Sequence, residues 1–526
     1  MTTTQILTTI LVVLFFSLMI GVGFYCRRKA SDVDGFVLGG RSVGPWLTAF
    51  AFGTSYFSAV IFVGYAGQFG WNFGLASTWI GLGNAFIGSL LAWNVLGRRT
   101  RLMTQHIDSK TMPDFFEKRY GSKALKIAAS VIVFVFLIPY TASLYNGLSS
   151  LFAISFEIKY WVCIVVMAAL TGIYVIFGGY MATAINDFVQ GLIMLVGIAA
   201  VVIATLNVNG GLMESIEKLA TSDNGGWQYT SFFGPDPLSL LMVVLLTSLG
   251  TWGLPQMVGK FYSIKNESMI QKGTLISTVF ALIVAGGCYF LGGFGRLFMT
   301  EAQRAAAGGF DAIIPNMISG LPPLVVAVVI VLVLSASMST LSSLVLTSAS
   351  TLTLDIIIPV SKKSVGEKKK LLILRLLIVF FIILSATIAI LKDTIWHDFV
   401  FIAQMMGISW GALAGAFLAP FLYGLYWKRT TRPAVWTSFI FGVFLMLVQL
   451  MISLEVFTVK GAFLGFVFKN SLNSGVFAMI GGLILVPLVS LLTAKHAPSD
   501  TDKMFSCYDA RVSVPAINAL DSDFKK

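Results

Sequence analysis

The chain has 526 residues, 57% of them hydrophobic and only 11% charged, with a formal net charge of +12 and a mean hydropathy of +0.86. Soluble domains carry about a quarter charged residues, so this composition excludes an ordinary soluble globular protein. Apolar runs of about 20 residues recur along the chain, each long enough to cross a bilayer, and their unbroken character excludes a β-barrel of short alternating strands.

The sequence therefore predicts an all-α polytopic membrane protein with about thirteen transmembrane helices. The spans fall at roughly 5–26, 45–68, 72–96, 124–153, 159–179, 186–209, 237–262, 270–296, 323–355, 370–391, 398–426, 434–453 and 475–493. The first lacks a small-residue cleavage site and ends in Arg27-Arg28-Lys29, which reads as a retained helix rather than a signal peptide. Residues 42–97 contain no Asp, Glu, Lys or Arg.

Basic residues set the expected orientation. Arg27, Arg28 and Lys29 follow span one, and Arg98, Arg99, Arg101, Lys118 and Arg119 follow span three. Lys362, Lys363, Lys368, Lys369 and Lys370 follow span nine, and Lys428, Arg429 and Arg432 follow span eleven. With this count all four connections share one side, the cytoplasmic one. The loop 210–236, with Glu214, Glu217 and Asp223, lies opposite without a basic bias. The N-terminus is expected outside and the C-terminus inside a cell (plasma) membrane. Positive-inside loops explain the net charge without a nucleic-acid partner.

Two spans are interrupted. Span two contains AFGTSYFSAV with Gly53, Thr54, Ser55 and Ser58, and span seven contains TSLGTWGLPQ with Gly250, Gly253 and Pro255. Glycine and proline in mid-span weaken a helix and free backbone carbonyls. The two spans stand five apart, so each opens a five-helix unit, and an odd unit inserts the second copy inverted. That is the pattern of a transporter with broken helices at a midplane site. The expected organisation is 1–44, a first extra helix and loop; 45–236, a first five-helix repeat; 237–430, a second inverted repeat; 431–493, two further helices; and 494–526, a short polar cytoplasmic tail, expected to be disordered.

Residues 334–355, LSASMSTLSSLVLTSASTLTLD, carry more hydroxyls than packing needs. Ala336, Ser339, Thr340 and Ser343 recur at i, i+3, i+4 and i+7 and share one helix face. Such a stripe either bonds back to its own carbonyls or offers neutral ligands to a small hard cation.

Four scattered cysteines, Cys26, Cys163, Cys288 and Cys507, show no metal spacing and imply no disulfide framework. His106, His397 and His496 sit in loops or tails. No phosphate-binding loop, zinc motif or nucleophile elbow is present, and an enzyme would need a histidine or acid at mid-depth, where none stands away from a span end. No segment is large enough for a nucleotide-binding domain, so uphill work would draw on an ion gradient.

The segments VLGGRSVGPW (37–46), GGYMATAINDFVQGLIM (178–194) and SASMSTLSS (335–343), in that order, resemble the sodium/solute symporter family, nearest to its bacterial sodium/proline-type carriers. The resemblance covers about 30–430. It implies a ten-helix core of the inverted-repeat (LeuT-like) kind, with one extra helix before it and two after. It also implies a sodium ion between spans two and nine, held by the backbone carbonyls of Thr54, Phe57 and Ala336 and the hydroxyls of Ser339 and Thr340. These are neutral oxygens, weak enough to release the ion in each cycle.

The same resemblance places Asp187 on the sodium exit path, against the alternative of a helix N-terminal acid favoured by the dipole by about 0.3–1 kcal/mol. Arg41 matches a basic residue near the inner gate; its alternative role is a positive-inside charge. The substrate cavity would face Ser58, Tyr140, Thr247, Thr251, Trp252, Gln256 and Gln404. Departures occur where aromatic positions of the proline carriers become Thr247 and Thr251, and where an acid in span two becomes Tyr56.

The function these features imply is a sodium-coupled secondary active symporter importing a small organic solute (amino acid, carboxylate or sugar) by alternating access, with no catalytic residues. Sodium is the coupling ion and no organic cofactor is implied; the partners are the solute, sodium and the lipid bilayer, with the chain acting as a monomer or loose oligomer. An uncoupled or proton-coupled carrier is the alternative, and a transporter-derived sensor a lesser one.

Overall fold

A computed structural model of the chain describes residues 3–156, 159–307, 309–361, 365–395 and 402–509. Lys362, Lys363, His397 and the tail beyond 509 lie outside the described residues. Within them the chain is helical, and the one isolated bridge pairs Val43 with Ile264.

The helices used below are α1 (Thr3–Cys26), α2 (Pro45–Tyr56), α3 (Ala66–Phe73), α4 (Met112–Tyr120), α5 (Lys123–Phe156), α6 (Tyr160–Val208), α7 (Pro237–Leu249), α8 (Pro255–Tyr262), α9 (Ser268–Gly292), α10 (Pro323–Thr351), α11 (Glu367–Ile395), α12 (Ile402–Tyr426), α13 (Arg432–Ser453) and α14 (Ser471–Leu492). Among the described residues ten helices are long and apolar enough to cross a membrane, or eleven if the bent pair around Leu254 is one span.

This is fewer than the thirteen expected, and the difference has a physical cause. Helix α6 runs 49 residues without a loop, about 74 Å at 1.5 Å per residue, against a hydrocarbon core of about 30 Å. It is bent at Gly179, where φ is +53° and an added Cβ would meet the Phe36 carbonyl oxygen at 2.8 Å. Spans five and six thus join through a kink. The continuous stretch Val60–His106, 47 residues long, likewise contains segments of both span two and span three. It turns at Gly74, where φ is +61°.

Both expected interruptions are present. Helix α2 stops at Tyr56, and Phe57 is extended with φ −82° and ψ 123°. Helix α7 passes through a tight turn at Gly250–Gly253 and stops at Leu254, with φ −86° and ψ 119°, before Pro255 opens α8 at a 46° bend. Proline disfavours the helical conformation in the residue before it, which fixes the second break.

Helix α10 is buried at every position from Val329 to Leu346. A helix apolar all round belongs at the centre of a bundle, and α10 packs against α1, α2, α5 and α6.

The basic loops gather on one face. Arg99 and Arg119 donate to the carbonyls of Leu425 and Gly424, and Arg101 to that of Ile264. Lys110 pairs with Asp34 at 2.6 Å. The expected disorder of the tail does not hold for residues 494–509. Phe505 is buried beneath the Arg119 guanidinium, Lys428 pairs with Asp502, and Arg99 stacks between the rings of Tyr426 and Tyr508. Two aromatic residues and three cations hold this short segment down.

Candidate functional site

The break in span two faces the hydroxyl stripe of α10. Ser339 Oγ lies 3.1 Å from both the Thr54 and the Ala336 carbonyl oxygens. Thr340 Oγ1 lies 3.1 Å from the Ala336 oxygen and 3.3 Å from those of Thr54 and Phe57. All five residues that the sequence points to for sodium converge on one buried spot. Two hydroxyls own one proton each, yet three carbonyls compete for them across five short contacts. The spot is rich in lone pairs, neutral, and drawn from two helices, which is the donor set that suits a small hard cation.

One turn along α10, Ser343 Oγ is 2.7 Å from Ser55 Oγ and accepts from Lys260 Nζ at 2.9 Å. Lys260 comes from α8, is buried, and lies 3.6 Å from Asp187 Oδ2 and 5.3 Å above the Tyr180 ring. Asp187 is fully buried inside α6, two turns beyond the kink at Gly179, and neither carboxylate oxygen makes a hydrogen bond. Its expected position at the start of a helix is therefore not what the structure shows, and the dipole role loses its basis. A cleft runs from Lys260 and Ser343 past Gln256 and Ser350 to Lys110 and Thr111 on the basic face.

Arg41 does not line that cleft but lies near it, bonded to the residue before the cleft-lining Lys110. It occupies a left-handed backbone position, with φ +52°, and donates to the Ser109 carbonyl at 2.7 Å. Val37 and Leu38, just before it, line the cleft itself.

The residues expected around a substrate are not gathered in one cavity. Ser58 and Tyr140 are neighbours, and the Tyr140 ring meets Trp410 edge-on at 6.0 Å. Trp410 in turn packs on Tyr56 at 5.8 Å. Ser58 Oγ, Tyr140 Oη, Tyr56 Oη and Trp410 Nε1 are buried without a well-formed hydrogen bond. Trp252 instead donates to the Ile87 carbonyl at 3.1 Å, and Thr251 bonds Ser248 of its own turn. Thr247 bonds back to Val243. Gln256 opens onto the basic-face cleft. Gln404 lines a separate cleft with Gln68, Asp236 and Lys469.

Sequence reasoning missed Lys260 and Trp410, and named Tyr56 only as a departure from the proline carriers. The signal for Lys260 was available: a lysine five residues after the proline of a broken span, in a segment without another charge.

The sodium:solute symporter family model matches residues 36–442. A sodium/proline symporter of Staphylococcus aureus (strain JH9) is 28% identical over 450 residues, covering 84% of this chain and 85% of that protein. Among solved structures, a Na+-coupled sialic acid symporter in a substrate-bound outward-open state superposes with a TM-score of 0.73 at 15% identity, covering 92% of this chain and 98% of that one. A nucleobase-cation-symport-1 family transporter in a closed conformation superposes with a TM-score of 0.51 at 14% identity, covering 90% and 98%. These two share the fold, and the family match, spanning both broken helices and the oxygen cluster between them, establishes that the chain belongs to the sodium:solute symporter family.

Proposed function

We propose that this chain imports a small organic solute together with sodium across the plasma membrane by alternating access. The observation that carries the reading is the cluster of five neutral oxygens from Thr54, Phe57, Ala336, Ser339 and Thr340 between a broken span and α10. All five belong to one chain, so a monomer holds a complete ion site.

In this reading the basic face is cytoplasmic, the N-terminus lies outside and the C-terminus inside. Sodium binds from outside and draws α2 and α10 together. The solute, an amino acid, carboxylate or sugar, binds beside the break at Ser58 and Tyr140, where the polar atoms of Tyr56 and Trp410, without well-formed hydrogen bonds, complete a polar surface. The ion then leaves past Asp187 through the cleft to the basic face, with Arg41 near that face's Lys110 end. The membrane potential adds about 2.3 kcal/mol per charge per 100 mV.

The test is thermal stability of the purified protein in sodium, potassium or choline, across amino acids, carboxylates and sugars. A ligand of the folded state raises stability by mass action. Stabilisation by sodium alone, increased by one solute, supports the reading and names the solute class. No response to sodium leaves a proton-coupled or uncoupled carrier as the better account.

A further inference from the structure

The geometry points to Lys260 as a positioning residue for sodium release, whose ammonium keeps the buried Asp187 carboxylate from trapping the ion on its way out. The inference rests on the sodium site proposed above.

Asp187 and Lys260 are the two buried charges beside the oxygen cluster. A carboxylate out of water gains strongly from any cation it can reach, because desolvation has removed its other partners. Left bare, Asp187 would be a deeper well for sodium than the neutral oxygens above it, and an ion leaving them would stop there.

Lys260 alters that well without filling it. Its Nζ stands 3.6 Å from Asp187 Oδ2, beyond hydrogen-bonding reach, and both Asp187 oxygens keep their lone pairs free of hydrogen bonds. The ammonium is also held by Ser343 at 2.9 Å and by the Tyr180 ring. Ser343 meets Ser55, the residue after the ion ligand Thr54. The positive charge is thus fixed by Ser343 and Tyr180 as well as by the carboxylate it pairs with. Asp187 can attract an outgoing ion, and Lys260 limits how tightly it holds it. Tyr180, Ser343 and Lys260 also line the cleft to the basic face, so the pair stands where the route opens.

The experiment is a sodium titration of thermal stability on the purified full chain. Lys260→Met should bind sodium at least tenfold more tightly than the parent, and Lys260→Arg within threefold of it. Asp187→Asn, which leaves the ammonium unopposed, should bind at least tenfold more weakly. The double variant Asp187→Asn/Lys260→Met should return to within threefold of the parent. A purely structural role would lower the melting temperature of each single variant and leave the sodium dependence unmoved.

Lys260→Met with the parent's sodium affinity, or a weaker one, overturns the inference. If Lys260→Met does not fold, the other two variants decide: a weak Asp187→Asn restored in the double supports it, and an unchanged Asp187→Asn overturns it. Sodium binding that survives in Ser339→Ala/Thr340→Val would instead defeat the proposed ion site, which keeps the two failures apart.

Discussion

Phe57 and Leu254 adopt the same backbone conformation, φ −82° and ψ 123° against φ −86° and ψ 119°, at the breaks of two spans that each open a five-helix unit. Leu254 is pushed there by Pro255. Phe57 has no such neighbour, and its carbonyl instead faces the Thr340 hydroxyl. One break is imposed by covalent geometry and the other is held by partners on α10.

The hydroxyls of that contact can be removed singly. Ser339→Ala and Thr340→Val each delete one ligand while keeping the shape of the helix. Each should weaken sodium binding at least tenfold, about 1.4 kcal/mol. Stability without sodium should fall by no more than about 1 kcal/mol, the usual contribution of one hydrogen bond. Sodium titrations of melting temperature separate the two effects.

A second buried charge cluster ties the segment after α10, Leu352–Ile357, to the basic face. Lys126 reaches Asp114 at 2.8 Å, Glu117 at 2.9 Å and Asp355 at 3.6 Å, and Thr111 donates to Asp355 at 2.6 Å. Removing one side of a buried pair costs about 3–5 kcal/mol because the other charge is stranded. Lys126→Met should therefore lower the melting temperature sharply, and Lys126→Met/Asp355→Asn should recover some of the loss. A double variant no better than the single would show that Asp355 is not the stranded partner.

Helices α3 and α9 touch backbone to backbone. A Cβ on Gly70 would meet the Gly292 carbonyl at 2.0 Å, and one on Gly292 would meet the Ala66 oxygen at 2.1 Å. Small residues permit such approach between membrane helices. Gly70→Ala and Gly292→Ala should each destabilise by about 1–3 kcal/mol through overpacking, read as lower yield and melting temperature. Gly21→Ala, where nothing lies within 4 Å, is the matched control and should be silent.

The docked tail makes a chemical prediction at Cys507. Burial against the basic face raises its thiol to about 11, despite Arg98 and Arg99 nearby. The thiolate is the reactive form, so a raised value means less of it at neutral pH. Alkylation at pH 8 should run about a hundredfold slower than for an ordinary exposed thiol and should accelerate steadily between pH 8 and 11. Phe505→Ala should release the segment and restore ordinary reactivity at pH 8. Labelling located by peptide mass spectrometry reports both.

The proposed sodium ligands were legible because serine and threonine are short. Their oxygens stay close to the backbone, so the helical spacing of Ser339 and Thr340 places them, and the break beside Thr54 supplies the carbonyls. Long side chains escape this logic. Lys260 goes unread until the direction of α8 carries its stem inward. Gln256 and Gln404 read as one cavity until the fold separates them into two clefts. Trp252 and Thr251 sit on the expected turn, but spacing along one helix does not reveal that Trp252 and the segment 84–91 satisfy each other. Gly179 and Gly74 carry bends within helical runs, so a count from hydropathy and a count of continuous helices differ.

In the proposed sodium site neither α2 with its break nor α10 holds enough of the five oxygens to keep an ion by itself; two come from α2 and the residue after it, and three from α10. The affinity for sodium is then a gauge of how near the two elements stand. By reciprocity, whatever separates them weakens the ion by the same factor that the ion resists the separation. The ion behaves as an adhesive whose strength is set by its concentration on whichever side the joint is open, and a concentration difference across the membrane becomes a difference in the work needed to pull the helices apart.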